Sequence, residues 1–312
     1  MMTGPAIQIT NLKKSYQETM ALASVSLEVR PFEMFGLIGP DGAGKTSLIR
    51  ILTSLLDPDD GECRLLGISV QQEPEEVRKI IGYMPQRFSL YPDLTVGENL
   101  RFFADLFRVP KQERLKRTEE LLHFSRLGPF VKRRAGQLSG GMKQKLALSC
   151  ALVHTPKILI LDEPTTGVDP VSRREFWDIL KTLKSGGVSI LVTTPYMDEA
   201  EKCDRIALIN KGNILALGTA AEVTKGFTGT VHALFGRNLP ALAGWFKHRL
   251  HPSQVQILGD RVHVSLFSDT PETIANLCRE ADSDGFAVDR IEAAEPGLED
   301  TFISLISEKT KE

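Results

Sequence analysis

The chain has 312 residues, 42% of them hydrophobic and 25% charged, with a formal net charge of −2. That is enough apolar material for one large domain and one small one. The balanced charge gives no footprint for a nucleic acid or an anionic membrane surface.

Residues 1–14 lack the apolar core of a signal peptide, and no later apolar run approaches the roughly 18 residues that cross a bilayer. Any work on a membrane is therefore expected to pass through a partner. Residues 6–10, and then Val25, Leu27 and Val29 alternating with Ser26, Glu28 and Arg30, read as antiparallel strand at period two. Residues 35–38 form a short buried strand that runs into a glycine-rich turn. A helix follows, with Leu48, Ile51, Leu52, Leu55 and Leu56 at helical spacing, until Asp57-Pro58-Asp59-Asp60-Gly61 stops it. From about 96 to 137 the pattern is helical, marked by Asn99-Leu100, Phe102-Phe103 and Leu121-Leu122, and it reads as an inserted helical lobe.

Two further buried strands lie at 157–161 and 188–193, with the helical stretch 172–184 between them. Strands alternating with helices imply a parallel sheet covered on both faces. The turn Asn210-Lys211-Gly212-Asn213 reads as a hairpin, and this α/β domain is expected to cover 1–225, with a helical subdomain at about 87–155. After Gly226-Phe227-Thr228-Gly229 come a strand at 230–235, a helix near 239–249 and a hairpin pairing Val255 and Ile257 with Val262 and Val264. A helix at 272–281, a strand at 288–293 and a helix at 298–306 follow. That order predicts a small ferredoxin-like α+β domain over 226–312. The four cysteines, Cys63, Cys150, Cys203 and Cys278, include no CxxC pair and read as reduced thiols.

The chemistry begins at Gly39-Pro40-Asp41-Gly42-Ala43-Gly44-Lys45-Thr46, with Ser47 behind it, placed between a buried strand and a helix. Glycines let successive N–H groups curl around phosphate oxygens, and the helix N-terminus adds a favourable dipole. Lys45 is expected to reach the β- and γ-phosphates of a bound nucleotide and Thr46 to ligate Mg²⁺. Ile158-Leu159-Ile160-Leu161-Asp162-Glu163 then supplies a strand ending in adjacent carboxylates. In a parallel sheet that end lies on the same edge as the phosphate loop, so Asp162 fits as a Mg²⁺ partner and Glu163 as the general base for water. These two motifs define a P-loop nucleoside triphosphatase, a class that also holds kinases, GTPases and helicases.

A third motif separates those classes. Leu138-Ser139-Gly140-Gly141-Met142, followed by Lys143-Gln144-Lys145 and a helix, resembles the LSGGQ signature of ATP-binding cassette (ABC) ATPases, and the resemblance covers essentially 6–225. Physically it is a second anion-binding helix N-terminus. In the family its phosphate belongs to ATP held by the other subunit, which implies a dimer closing on nucleotide. The resemblance further implies that Tyr16 stacks on adenine, that Gln86 in Gly82-Tyr83-Met84-Pro85-Gln86 is the Q-loop glutamine contacting Mg²⁺ and water, and that Asp169 belongs to the D-loop crossing the dimer interface.

Two positions depart from the family pattern. Met142 stands where the signature usually has Gln, and Pro195 in Thr193-Thr194-Pro195-Tyr196 stands where the family has its switch histidine. Proline offers neither a side-chain donor nor a backbone N–H, so slowed hydrolysis is expected. The motifs look most like the first cassette of tandem-cassette multidrug exporters and, more broadly, the daunorubicin-resistance type of export ATPase, which commonly carries a C-terminal regulatory domain. The partners so implied are an integral membrane permease and a second ABC ATPase subunit, identical or different, with no nucleic acid. The implied location is cytoplasmic, peripheral on the inner face of the cell membrane. A soluble cassette acting on a non-membrane load, or a largely non-catalytic cassette of a heterodimer, are the alternatives.

Overall fold

Every residue of β3 (Met34–Ile38) and β7 (Ile158–Asp162) is buried, which forces both strands into the middle of a sheet. They lie in a six-stranded sheet with β6 (Ile81–Met84), β8 (Ser189–Thr194), β9 (Arg205–Asn210) and β10 (Asn213–Gly218), in the order β10-β9-β3-β8-β7-β6. The pairs β3–β8, β3–β9, β6–β7 and β7–β8 are parallel, so the C-terminal ends of β3, β7 and β8 share one edge. The computed structural model describes residues 4–87, 89–267 and 271–309.

Alternate residues of these strands enter two different cores. Ile158, Ile160 and Leu191 pack with α1 (Lys45–Leu52) and with a four-stranded antiparallel sheet. That sheet is built from β1 (Ile7–Tyr16), β2 (Thr19–Val29), β4 (Asp60–Leu65) and β5 (Ile68–Ser69), in the order β2-β1-β4-β5. Leu159, Leu161, Ile190 and Val192 face the other way, towards α3 (Val96–Leu106), α4 (Lys111–Ser125), α5 (Gly140–Ala151) and α6 (Pro170–Ser185). The helices expected within 87–155 are α3, α4 and α5, and Thr95 opens α3 with a capping box to Glu98.

Two differences from the sequence reading stand out. The helix after the phosphate loop ends at Leu52 instead of running on to Leu56, because Ser54 turns left-handed (φ 56°) and the Thr53 hydroxyl donates back to the Ile49 carbonyl. Leu55 consequently stands 61% exposed. The segment β4, β5, α2 (Pro74–Ile80) and β6 is ordered secondary structure that the periodicity did not reveal.

The chain divides into two units, Met1–Leu217 and Gly218–Glu312, so the boundary lies ahead of the expected residue 225. The short helix α8 (Ala220–Thr224) packs on α11 (Leu298–Lys309) and therefore goes with the second unit. The outer ends of the expected domains, residues 1–3 and 310–312, lie outside the described residues. In the second unit β11 (Thr230–Phe235), α9 (Leu239–Lys247), β12 (Val255–Leu258), β13 (Arg261–Leu266), α10 (Pro271–Ser283) and β14 (Arg290–Ala294) form a β-α-β-β-α-β run. Its antiparallel sheet has the order β12-β13-β11-β14. The four cysteine thiols are free. Among the described residues no helix is long and apolar enough to cross a membrane.

Candidate functional site

The phosphate loop leaves the C-terminal end of β3 and enters α1 through Gly44, whose left-handed backbone (φ 107°) is open to glycine alone. A Cβ there would lie 2.3 Å from the Ala21 carbonyl oxygen. No side chain caps α1, so the first-turn N–H groups face outward as anion donors. Lys45 is almost fully buried (3% exposed) and its ammonium donates to the carbonyls of Gly39 at 2.7 Å and Pro40 at 2.9 Å. It also lies 3.0 Å from Glu163 Oε1, in an ion pair buried on both sides.

Glu163 follows β7 in a left-handed conformation (φ 48°), unusual for a residue with a Cβ and of the kind held in place at functional sites. Its second oxygen, Oε2, accepts from Gln86 Nε2 at 2.8 Å and from the Thr166 hydroxyl at 3.4 Å. Its backbone N–H is held by the Thr193 side chain at 3.0 Å. Asp162 points into the sheet edge, where Thr193 Oγ1 donates to it at 2.8 Å and the Thr46 hydroxyl also bonds to it. Burial pushes the Asp162 carboxyl above its usual range, against the downward pull of those two hydrogen bonds.

Lys45, Thr46, Gln86, Asp162 and Glu163 thus meet at one edge of the parallel sheet. The hydroxyl of Thr46 and the carboxylate of Asp162 are hard oxygen donors side by side, the chemistry that suits Mg²⁺. Among the described residues no cluster of three or more His, Cys, Asp or Glu is spaced for a metal. Ala43 is buried in the loop, while Pro40, Asp41 and Gly42 are exposed. Tyr16, 43% exposed, accepts a 3.4 Å hydrogen bond from Ser47, so its ring stands beside the start of α1.

The remaining candidates form a separate group. Ser139 caps α5, its hydroxyl accepting from Met142 N at 3.4 Å, with Leu138 buried before it. Gly141 packs so closely on α6 that a Cβ would lie 2.4 Å from Ser172 Oγ. Asp169 caps α6 by accepting from Ser172 N at 2.9 Å, a bond that holds its carboxyl below the usual range. Among the described residues no hydrogen bond or ion pair joins Leu138, Ser139, Gly140, Gly141 or Asp169 directly to the Lys45–Glu163 group.

The sequence reading gave no role to Thr193, although it fixes both carboxylate positions. The available signal was a pair of threonines ending the otherwise apolar run of β8. Glu199, on the single turn α7 (Met197–Ala200) after β8, sits in a charged stretch whose local pattern carries no sign of its burial.

The family model described as "ABC transporter" matches residues 22–166. The chain is 39% identical over 98% of its length to the probable multidrug ABC transporter ATP-binding protein YbhF of Escherichia coli (strain K12), of which it covers 53%. It is 34% identical to the Nod factor export ATP-binding protein I of Rhizobium etli, with 96% of this chain and 93% of that protein aligned. The chain therefore spans about half the length of the first relative and nearly all of the second. A solved dimeric structure of MJ0796, a bacterial ABC transporter cassette, superposes with a TM-score of 0.63 at 30% identity, covering 68% of this chain and 98% of that one.

Proposed function

The chain belongs to the ATP-binding proteins of ABC transporters, and from that premise we propose that it binds and hydrolyses ATP as the energy-coupling subunit of an exporter, closing as a dimer around the nucleotide. The observation that carries the proposal is the buried Lys45–Glu163 ion pair, with the exposed Gln86 bonded to Glu163 and with Asp162 and Thr46 beside it. Lys45 takes the β- and γ-phosphates once its ammonium leaves the Glu163 carboxylate. Glu163, so released, accepts the proton of the attacking water, and Gln86 holds the carboxylate in register from the side of the Q-loop. Thr46, Asp162 and Gln86 would hold Mg²⁺, which when bound would supply charge neutralisation to the phosphates. The loop 39–47 cradles the phosphates and Tyr16 stacks on the adenine. Leu138, Ser139, Gly140 and Gly141 serve the ATP of the second subunit, with Asp169 at the dimer interface. The separation of this second group from Lys45 within one chain supports that division of labour.

A membrane permease is the proposed load. Beside Gln86 opens a cleft of about 1070 Å³ lined in part by Tyr83, Met84, Pro85, Leu90 and Phe103. Leu55 and Leu106, 61% and 60% exposed, stand along it, an apolar surface suited to a protein partner. The chain then sits peripherally on the cytoplasmic face of the cell membrane and drives efflux of drugs or other hydrophobic compounds, by analogy with YbhF. The second unit, whose β-α-β-β-α-β order and sheet order fit a ferredoxin-like domain, is proposed to be regulatory.

Pro195 favours a second reading in which this cassette binds ATP well and turns it over slowly until a complete cassette pairs with it. Its place beside Thr194, whose carbonyl accepts from Gly39 N at 3.3 Å, puts it at the phosphate loop with no donor to offer. ATP hydrolysis by the purified chain, beside Glu163→Gln and Pro195→His, tests both readings. Parent activity that falls about 10²–10⁴-fold in Glu163→Gln supports a working site. Negligible parent activity raised at least about tenfold by Pro195→His supports the slow cassette. No nucleotide binding in any of the three overturns the proposal.

A further inference from the structure

The single-turn helix α7 (Met197–Ala200) carries Glu199, whose side chain is fully buried at 0% exposure. Its Oε1 accepts from the Thr165 hydroxyl at 2.7 Å and from the Trp177 indole N–H at 3.1 Å, and its Oε2 accepts from the Thr194 hydroxyl at 2.5 Å. Arg173 Nε lies 3.6 Å from Oε1 and has no hydrogen-bond partner of its own among the described residues. A carboxylate withdrawn so completely from water persists only where donors and a cation answer it on every side.

The groups that answer it come from three segments. Thr165 lies two residues beyond Glu163 in the loop after β7. Thr194 ends β8, directly before Pro195. Arg173 and Trp177 lie on α6, the helix that Asp169 caps. Two of these segments, the loop after β7 and the end of β8, continue to the Lys45–Glu163 site. Glu163 N donates to the Thr193 carbonyl at 3.2 Å, and Gly39 N of the phosphate loop donates to the Thr194 carbonyl at 3.3 Å. On the far side of Pro195, Tyr196 N donates to Thr194 Oγ1 at 3.1 Å, and the Tyr196 ring lies against the Arg173 guanidinium at 4.4 Å.

We infer that Glu199 is the positioning residue that clamps the Glu163 loop and the Pro195 turn together. It holds from behind the segment at whose front Pro195 offers no donor. Both of its oxygens accept, from the Thr165 and Thr194 hydroxyls and the Trp177 indole N–H. Glutamine fills the same volume but removes the charge that faces Arg173, and its amide nitrogen meets Thr194 only if that hydroxyl turns from donor to acceptor. The inference rests on the reading of Glu163 as the general base.

The test uses the full chain with Glu199→Gln and, for single arms of the clamp, Thr165→Val and Thr194→Val. Two readouts are taken: kcat and KM for ATP beside the nucleotide Kd, and amide hydrogen exchange over residues 163–169 and 193–197. Glu199→Gln is expected to lower kcat by at least about tenfold while KM and Kd move less than about twofold. Amides of both segments should exchange together at least about tenfold faster, with α1 and the second unit unchanged. Each threonine variant should show part of this loss and add nothing further on the Glu199→Gln background. Unchanged kcat with unchanged local exchange overturns the inference, as does faster exchange throughout the chain with kcat and Kd falling in proportion. Where Glu199→Gln does not fold, the two threonine variants decide by the same readouts. A parent chain that hydrolyses no ATP even with a second cassette refutes the general-base reading alone, since coupled exchange of the two segments still decides the clamp.

Discussion

Two helices of the first unit begin with a turn shaped for an anion, and they differ in what their own chain has already placed there. α1 starts behind a glycine with no side-chain cap, and a buried lysine and a buried carboxylate stand beside it. α5 starts behind Ser139, whose hydroxyl accepts from Met142 N, and Ser139 and Gly140 are exposed. The first terminus is surrounded by the groups that hydrolysis needs. The second is a rigid, outward-facing donor surface held against α6 at Gly141. The same local device thus stands in two different neighbourhoods, and what distinguishes them is what the sheet edge supplies.

Removing the charge at the first terminus gives the largest expected effect. Lys45→Ala should weaken nucleotide affinity by roughly 10–100-fold, as loss of a charge-assisted contact does, measured by fluorescent-nucleotide titration. A change in Kd below twofold would break the assignment of that terminus to phosphate.

At the second terminus the effect should fall on turnover and spare affinity. Gly141→Ala drives a methyl group into Ser172, 2.4 Å away, and shifts the α5 entry turn. ATP binding to the monomeric chain should stay within about twofold, while turnover in a dimer falls about tenfold. Equal losses in both would mean that the two termini serve one nucleotide within one chain.

The smallest effect separates the two aspartates that accompany these termini. Burial raises the folded pKa of Asp162, so its contribution to stability is present below the ordinary 3.8 and is lost as pH rises through the folded value. Asp162→Asn should therefore leave the nucleotide-free chain as stable as the parent at neutral pH or more so. Asp169 has its pKa lowered by the Ser172 N–H, so its contribution is present above 3.8 and is lost as pH falls through the folded value. Asp169→Ala should lower the thermal midpoint at neutral pH through the missing cap. Thermal melts of the two variants at pH 7 check both signs.

Motifs of contiguous residues were the legible part of this chain. Gly39 to Thr46 and Leu138 to Gly141 each encode a local backbone shape, and glycine spacing reports such shapes directly. The buried strands β3, β7 and β8 were equally plain from their apolar runs. Periodicity failed where a polar side chain competed with the helix, as at Thr53 and Ser54, and where elements were as short as β5 or broken by charge, as in α2.

Local stretches of sequence carried the glycine turn at 39–46, the adjacent carboxylates Asp162 and Glu163, the turn at 138–141 and the alternation of strand and helix, because each depends on residues close together in the chain. Long-range packing brings Lys45 to Glu163, Thr193 to both carboxylate positions, and Thr165, Thr194, Arg173 and Trp177 around Glu199. Those contacts join residues up to 118 positions apart. They exist because parallel pairing of β3, β8 and β7 brings three strand ends to one edge, a registration set by the packing of two cores and invisible to any local pattern.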